Sequence, residues 1–371
     1  MAQQRIPLGR ILGIPIGLDF SWFLIFTLLT WMLAGSYYPA AFPDWPHGLY
    51  WLMGAITALA FFASVLLHEL GHSVMAMRYR VRVRRITLHI FGGIAEIADE
   101  SPTPKAEFLI ALAGPLVSLA LALVSYLLQH WTAHIEPLAG LFKYLGYINL
   151  TLALFNLLPG YPLDGGRLFR AVLWAMTGNL RGATRIAATT GRGFAFLLIL
   201  IGAWQSLSGN LGGGLWIVFI GWFLDNAAKS QLQEVAFRDL LSGHPVVQVM
   251  NPSCPTVSAT LSLQQLVDDY ILTGHQRCFL VHESDRVTGL VTPQRIRAVP
   301  RSEWSRQTAG QVMLPLAQAQ STTPNESLWQ ALQRMDRDGV NQLPVVRQGQ
   351  VIGMLSREDV ISYLRTLADW S

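Results

Sequence analysis

The chain has 371 residues, of which 51% are hydrophobic and only 13% are charged, and its formal net charge is +4. Soluble domains contain about 25% charged residues, so this composition excludes a protein that is soluble along its whole length. The shortage of charge is confined to residues 11–230, whereas residues 231–371 have an ordinary soluble composition. No basic helix or aromatic–basic surface is evident, which argues against a nucleic-acid partner.

Six apolar segments are long enough to cross a lipid bilayer, which requires roughly 20 residues per helix. They lie at about 17–35, 49–77, 107–128, 138–158, 193–208 and 214–230. The sequence therefore predicts a polytopic α-helical membrane protein with six transmembrane helices.

The lysines and arginines of the apolar region are distributed asymmetrically. They lie at 5–10, 78–105, 167–192 and 229, apart from Lys143 near one end of the fourth segment. The alternate loops, at about 36–48, 129–137 and 209–213, contain neither residue. Because positive loops remain on the cytosolic side, we expect a multi-pass protein of the cell membrane whose two termini and C-terminal region are cytosolic.

The second apolar segment contains His68-Glu69-Leu70-Gly71-His72. On a helix this pattern places two imidazoles one turn apart on one face, with a glutamate beside them. Such a set offers two zinc ligands and a general base. Ionisable side chains inside a bilayer are costly, so their presence in a span indicates function.

Residues 81–98, between the second and third segments, alternate and are rich in β-branched side chains. They predict a strand, a kink at Gly92-Gly93 and a second strand. Backbone groups at membrane depth must be satisfied by protein or water, so we expect this small β-hairpin at the cytosolic rim, with one edge open.

The fourth segment ends in a region that supplies a third candidate ligand. Residues 159–166 contain two prolines and three glycines, which interrupt a helix. Asp164 precedes two of these glycines and can project its carboxylate from a tight turn. Asn156, just before the break, could hold a peptide carbonyl or an oxyanion, or it could simply pack between helices.

Together these motifs resemble the site-2 protease (M50) family of intramembrane zinc metallopeptidases. The resemblance rests on His68-Glu69-x-x-His72 and Asn156-Leu-Leu-Pro-x-x-Pro-x-Asp164-Gly, with Phe91-Gly92-Gly93 and Ala113-Gly114-Pro115 in support. It implies regulated intramembrane proteolysis of transmembrane or membrane-tethered proteins. It also implies these residue roles: one Zn²⁺ bound by His68, His72 and Asp164, water activated by Glu69, and substrate held by Asn156, Gly92 and Gly93.

The C-terminal region repeats itself with a period near 64 residues. Val249-Met250-Asn-Pro matches Val312-Met313-Leu-Pro, and each copy predicts a helix, two strands and a further helix. The copies resemble a tandem CBS pair, an α/β module that often binds ATP or AMP. The predicted organisation is a membrane metallopeptidase region at 1–230, a linker at 231–245, and CBS domains at 246–305 and 306–371.

The nucleotide-binding residues of that module are only partly present. Ser356-x-x-Asp359 resembles its ribose-binding motif, in which the carboxylate accepts hydrogen bonds from the ribose hydroxyls. In the first copy, Thr292 is followed by Arg295 where the acid would stand, and an arginine cannot accept those bonds. A CBS pair that only supports the structure, or that forms a homodimer, therefore remains an open alternative.

A second functional class is also open at this stage. A CBS pair can follow a transport domain, and ionisable residues in spans can line an ion pathway, so a CBS-gated ion channel or transporter is the alternative. Against it, the membrane region lacks the paired, interrupted segments that are typical of secondary transporters.

Overall fold

The computed structural model describes residues 5–90, 92–97, 101–252, 254–273, 279–283 and 286–369. Phe91, which the sequence analysis grouped with Gly92-Gly93, lies outside these residues. The chain forms two compact units, Met1–Val235 and Ala236–Ser371, which we call the membrane unit and the C-terminal unit. The predicted domain boundaries at 230, 245 and 305 remain predictions.

The described residues include six helical segments that are long and apolar enough to cross a membrane. The first comprises α1 (Ser21–Met32), a π-helical turn (Leu33–Tyr37) and α2 (Tyr38–Ala41); the others are α3 (His47–Arg78), α4 (Pro104–Trp131), α5 (Glu136–Asn156), α7 (Leu180–Leu207) and α8 (Leu211–Ser242). The predicted multi-pass helical architecture is confirmed. The last two helices extend beyond the predicted spans because their charged turns are helical as well.

A further helix, α6 (Asp164–Thr177), lies between the spans, where the sequence analysis expected only a turn. It follows extended backbone at Leu163 and ends at Gly178, whose φ of 67° is a left-handed conformation that suits glycine. Asp164 is therefore the first residue of a helix. A carboxylate at this position lies at the positive end of the helix dipole.

A four-stranded sheet accompanies the helices. Its strands are β1 (Arg5–Ile11), β2 (Ile14–Asp19), β3 (Val83–His89) and β4 (Gly92–Ile97), in that spatial order. The β3–β4 pair is the predicted hairpin, and β4 is an edge strand as expected. The β1–β2 hairpin is not among the predicted elements, because the apolar segment predicted as the first span begins at residue 17, inside β2.

The sheet packs against the part of α3 that carries the histidine motif. Ile16 and Ile86 of the sheet form a buried cluster with Leu70 of α3. Leu18 and Leu88 pack with Phe62 and Val65, which lie about two turns and one turn before the motif. These apolar contacts set the distance between β4 and the Glu69 side of α3.

The helix α4 packs against α3, α5 and α6. Its contact with α3 is very close at Gly71, where an added Cβ would lie 2.8 Å from Cγ2 of Val117 and 3.1 Å from the carbonyl oxygen of Ala113. Small residues at helix contacts allow such an approach inside a membrane. The two helices are thus close enough for α4 groups to reach the side chains of α3.

The C-terminal unit contains the expected α/β arrangement. The first copy has β5 (Thr256–Ser258), α9 (Leu263–Gln265) continuing as a π-helix (Leu266–Leu272), β6 (Phe279–Glu283), β7 (Arg286–Val291) and α10 (Pro293–Arg297). The second has α11 (Ala309–Val312), β8 (Leu314–Pro315), α12 (Leu328–Asp338), β9 (Gln342–Arg347), β10 (Gln350–Ser356) and α13 (Arg357–Asp369).

Residues near the start of each copy pair with a strand of the other copy. β8, near the start of the second copy, pairs with β7 of the first copy, and Asn251 of the first copy bridges to Met354 of the second. Glycines allow both approaches: a Cβ at Gly289 would lie 2.7 Å from the carbonyl oxygen of Leu314, and one at Gly353 would lie 2.7 Å from that of Asn251. Each hairpin is therefore completed by residues of the other copy.

Candidate metal centre

The two histidines of α3 are directed into the protein. His68 and His72 are each only 4% exposed, and their Nε2 atoms are 3.2 Å apart. The helix places them one turn apart on one face, as the sequence pattern predicts.

Asp164 meets both histidines from α6. Its Oδ2 lies 3.2 Å from Nε2 of His68 and 3.2 Å from Nε2 of His72. The three donor atoms thus form a nearly equilateral triangle, and these residues form a group that could hold a metal ion. Ligand atoms bonded tetrahedrally to zinc at about 2.0 Å lie about 3.3 Å apart, so the donor set fits a zinc ion and leaves a fourth position.

Both imidazoles are oriented by α4. Nδ1 of His72 lies 2.7 Å from the carbonyl oxygen of Ile110, which can only accept a hydrogen bond. Nδ1 of His68 lies 2.9 Å from Oγ of Ser118. When Nδ1 carries the proton, the lone pair of Nε2 is available to a metal. The side chain of Ser118 and the carbonyl of Ile110 were not identified from the sequence.

Between these two contacts, α4 has a glycine. A Cβ at Gly114 would lie 2.1 Å from Nε2 of His72 and 2.7 Å from Nε2 of His68. Such separations are far shorter than any non-bonded contact, so a larger residue would displace the imidazoles. Because it has no side chain, Gly114 keeps free the volume in which the donor atoms meet.

The segment that carries Asp164 also packs through glycines, whose backbones lie directly against neighbouring backbone. A Cβ at Gly165 would lie 2.3 Å from the carbonyl oxygen of Leu157, and one at Gly166 would lie 2.3 Å from the carbonyl carbon of Gly160. On α7, a Cβ at Gly191 would lie 2.1 Å from the carbonyl oxygen of Tyr161. Backbone-to-backbone contact on two sides therefore fixes the start of α6.

The Asp164 carboxyl is held in its ionised form. Burial raises its pKa, but the two histidines that contact it lower the pKa by more, so the net shift is well below the usual range. An ionised carboxylate is the form that binds a metal.

Glu69 lies between the ligand pair and the sheet. The backbone N–H of Ala95 in β4 donates a hydrogen bond to its carboxylate. A Cβ at Gly93 would lie 2.5 Å from Cγ of Glu69, so the strand passes directly over this side chain. Gly92 has a φ of +116°, a backbone conformation that requires glycine. The structure thus brings Gly93 to the glutamate, as the predicted site requires.

Asn156, the other predicted substrate-binding residue, is the last residue of α5 and is half-buried. It stands immediately before the turn that leads to Asp164. Its role remains a prediction.

The predicted nucleotide residues occupy equivalent helix starts in the C-terminal unit. Oδ2 of Asp359 accepts hydrogen bonds from Oγ of Ser356 at 2.6 Å and from the Ser356 backbone N–H at 2.9 Å. Thr292 is the N-cap of α10. Arg295 donates from Nη1 to the carbonyl oxygens of Val312 and Met313, so this guanidinium is engaged within the protein.

Comparisons with known proteins identify the family. The model of Peptidase family M50 matches residues 56–137 and 130–200, and the CBS domain model matches residues 309–366. A Synechocystis protein provisionally named zinc metalloprotease sll0528 is 36% identical over 369 residues, covering 99% of this chain and 97% of its own. This chain belongs to Peptidase family M50.

Two further curated relatives also carry the name zinc metalloprotease. Zinc metalloprotease Rip3 of Mycobacterium tuberculosis, also a provisional name, is 38% identical and covers 96% of this chain and 92% of its own. Zinc metalloprotease MJ0392 of Methanocaldococcus jannaschii is 28% identical and covers 78% of each chain. The solved Site-2 Protease from that organism is 28% identical over 62% of this chain and 95% of its own, with a TM-score of 0.43.

The protein is therefore a multi-pass membrane zinc metalloendopeptidase with a C-terminal CBS region, as the sequence analysis predicted. Its substrate class is a membrane protein, and its environment is the lipid bilayer. These relatives do not favour the alternative of a CBS-gated channel.

Gly114→Ala tests the packing that leaves room for the donor atoms. The added methyl group would displace both imidazoles, and we expect zinc affinity to fall at least about tenfold, within the range seen when groups that orient metal ligands are changed. Competition with a chelator on the purified full-length protein measures the affinity. Gly146→Ala is the matched control, because its Cβ would lie 3.6 Å from the nearest atom. Equal zinc affinity in the two variants would contradict this description of the site.

Proposed function

We propose that His68, His72 and Asp164 bind the catalytic zinc and that Glu69 is the general base of an intramembrane endopeptidase. The observation that carries the proposal is the triangle of donor atoms, 3.2 Å on each side, with Glu69 on the adjacent position of α3. Three protein ligands and one open position are typical of catalytic zinc sites, whereas structural sites are closed by four.

The surroundings of the metal ligands and of Glu69 indicate the role of each in catalysis. A zinc ion, when bound, polarises a carbonyl oxygen and acidifies water. Glu69 would accept the proton of the attacking water and deliver it to the leaving amine. The hydrogen bond from Ala95 and the contact with Gly93 hold the carboxylate on the sheet side of α3.

The edge strand β4 is a suitable place for a substrate. A transmembrane segment must leave its helical conformation before a peptide bond can be cleaved, and an unwound chain can pair with a strand edge. Glycine at 92 and 93 leaves the backbone of β4 uncovered next to Glu69. The Asn156 amide, at the end of α5, would donate a hydrogen bond to a substrate carbonyl.

The orientation of the protein follows from its arginines. In the membrane region, lysine and arginine lie in one set of loops, apart from Lys143 in α5, and His68 and His72 lie a few turns before Arg78 on α3. By the positive-inside rule, the termini and the CBS region are cytosolic, and the site lies in the cytosolic half of the bilayer.

Glu69→Gln is the direct test of the mechanism. The amide keeps the size of the side chain but cannot accept the proton, so we expect zinc content to be unchanged and cleavage to fall at least about 100-fold. The measurement is cleavage of a membrane-tethered reporter by full-length protein in liposomes, alongside metal analysis.

A second pair of variants controls for local damage. Gly93→Ala would push Glu69 from its place and should resemble Glu69→Gln, with zinc retained and cleavage reduced. Gly17→Ala, in β2 of the same sheet, places its Cβ 3.6 Å from the nearest atom and should cleave normally. Full cleavage by Glu69→Gln would reject the general-base role.

For the CBS region, we propose a single adenine nucleotide site at the start of α13. Ser356 and Asp359 are already oriented by their mutual hydrogen bonds, and the carboxylate can accept from ribose hydroxyls. The first copy offers Thr292 but has Arg295 in place of the acid, and that arginine is engaged by backbone carbonyls. Bound nucleotide would control the protease, whereas a CBS pair that only dimerises would not respond to it.

Asp359→Ala tests this site. A ligand at 100 times its Kd stabilises a protein by about 2.7 kcal/mol, so ATP or AMP should raise the melting temperature of the wild type but not of the variant. The substitution also removes a helix cap. Ser327→Ala, which removes the cap of α12, therefore serves as the control: it should cost about 1 kcal/mol and keep the nucleotide response. An identical nucleotide response in the wild type and Asp359→Ala would exclude this site.

A further inference from the structure

The membrane unit contains a buried carboxylate that the catalytic scheme does not use. Glu107 lies in the first turn of α4 and is only 1% exposed. A buried carboxylate is costly unless it is paired and hydrogen-bonded, so its partners indicate what it stabilises.

Two of these partners are arginines of α6. Oε1 of Glu107 accepts a hydrogen bond from Nε of Arg167 at 3.0 Å and another from Nη2 of Arg170. Oε2 accepts a hydrogen bond from the hydroxyl of Ser101. Both arginine side chains are themselves largely buried, at 22% and 16% exposed, so little solvent screens these contacts.

The spacing of these residues connects the ion cluster to the metal centre. On α4, Glu107 precedes Ile110, Gly114 and Ser118 by three, seven and eleven residues, which places all four on one face of the helix. On α6, Arg167 follows Asp164 by three residues. One face of α4 therefore orients both histidines and also holds, through Glu107, the helix that carries the third donor.

We propose that Glu107 is a positioning residue for the metal centre. Through Arg167 and Arg170 it fixes the register of α6 against α4, so that the Asp164 carboxylate meets His68 and His72. It does not touch the metal or the substrate. This inference rests on the proposed role of Asp164 as a zinc ligand.

The metal centre requires α6 to be positioned accurately, which is why the contact between Glu107 and the two arginines matters. One residue of helix register corresponds to a rise of about 1.5 Å and a rotation of about 100°. Either displacement would destroy a donor triangle whose sides are 3.2 Å. Zinc–ligand distances vary by only about 0.2 Å, so a small shift of α6 is felt directly as lost zinc affinity.

Glu107→Gln tests the proposal, with zinc affinity as the readout. The amide cannot neutralise two guanidinium groups, so α6 should shift, and we expect zinc to bind at least about tenfold more weakly to the full-length protein. Saturating zinc should restore most of the turnover of the membrane-tethered reporter, because no catalytic group has been removed. A purely structural role would lower the melting temperature without this dependence on zinc.

Asp225→Asn is the matched control. Asp225 of α8 pairs with Arg192 of α7 at 3.0 Å and with Lys229, so the substitution also removes a carboxylate shared by two cations. It lies on neither α4 nor α6. We expect a lower melting temperature with wild-type zinc affinity.

A further pair of variants keeps the test decisive if Glu107→Gln fails to fold. Arg167→Gln alone keeps the Glu107–Arg170 pair and should still weaken zinc binding, because one of the two contacts between α4 and α6 is lost. Glu107→Gln combined with Arg167→Gln leaves one guanidinium without its carboxylate rather than two, so it should bind zinc no more weakly than Glu107→Gln alone. Wild-type zinc affinity in a folded Glu107→Gln or Arg167→Gln protein would overturn the proposal. Wild-type affinity in Asp164→Ala would instead reject the ligand assignment on which it rests.

Discussion

The close approach of α3 and α4 is the constraint on which the rest of the site depends. Gly71 lets the helices come together, and Gly114 leaves space for the imidazoles where they do. At that distance α4 reaches the far nitrogen of each ring, through the carbonyl of Ile110 and the hydroxyl of Ser118. The donor atoms are thus oriented by a helix that contributes no ligand of its own.

The membrane requires that the buried polar groups of the site pair with one another. A buried polar atom in hydrocarbon must find its partner within the protein, so each ionisable group of the site is hydrogen-bonded or ion-paired to a neighbouring group. Glu69 accepts from the backbone of β4, the Asp164 carboxylate meets two imidazoles, and Glu107 meets two guanidiniums. The sheet, α4 and α6 converge on the middle of α3 for this reason, while the outward faces of the helices remain apolar.

Much of this architecture could be predicted from the sequence, because its signals are local. Hydropathy indicated six spans, alternation indicated β3 and β4, and two short motifs indicated His68, His72 and Asp164. What was missed depends on tertiary contact. In the N-terminal hairpin, β2 pairs in parallel with β3, some 70 residues away. No local pattern in residues 5–19 indicates that partner. Likewise, α6 seemed too rich in glycine to be helical at its start, although those glycines are what its packing against residues 157–161 requires. Ser118 and Glu107 carried a weaker signal, as polar residues on one face of an apolar helix.

We propose that one zinc ion is bound jointly by α3 and by the start of α6. The most direct measurement is the zinc content of purified full-length Asp164→Ala beside the wild type, with secondary structure and melting temperature recorded on the same samples. We expect about one zinc per wild-type chain and far less than one in a folded variant, because two histidines alone leave the site without its third donor. A folded Asp164→Ala protein that retains a full equivalent of zinc at wild-type affinity would contradict this proposal.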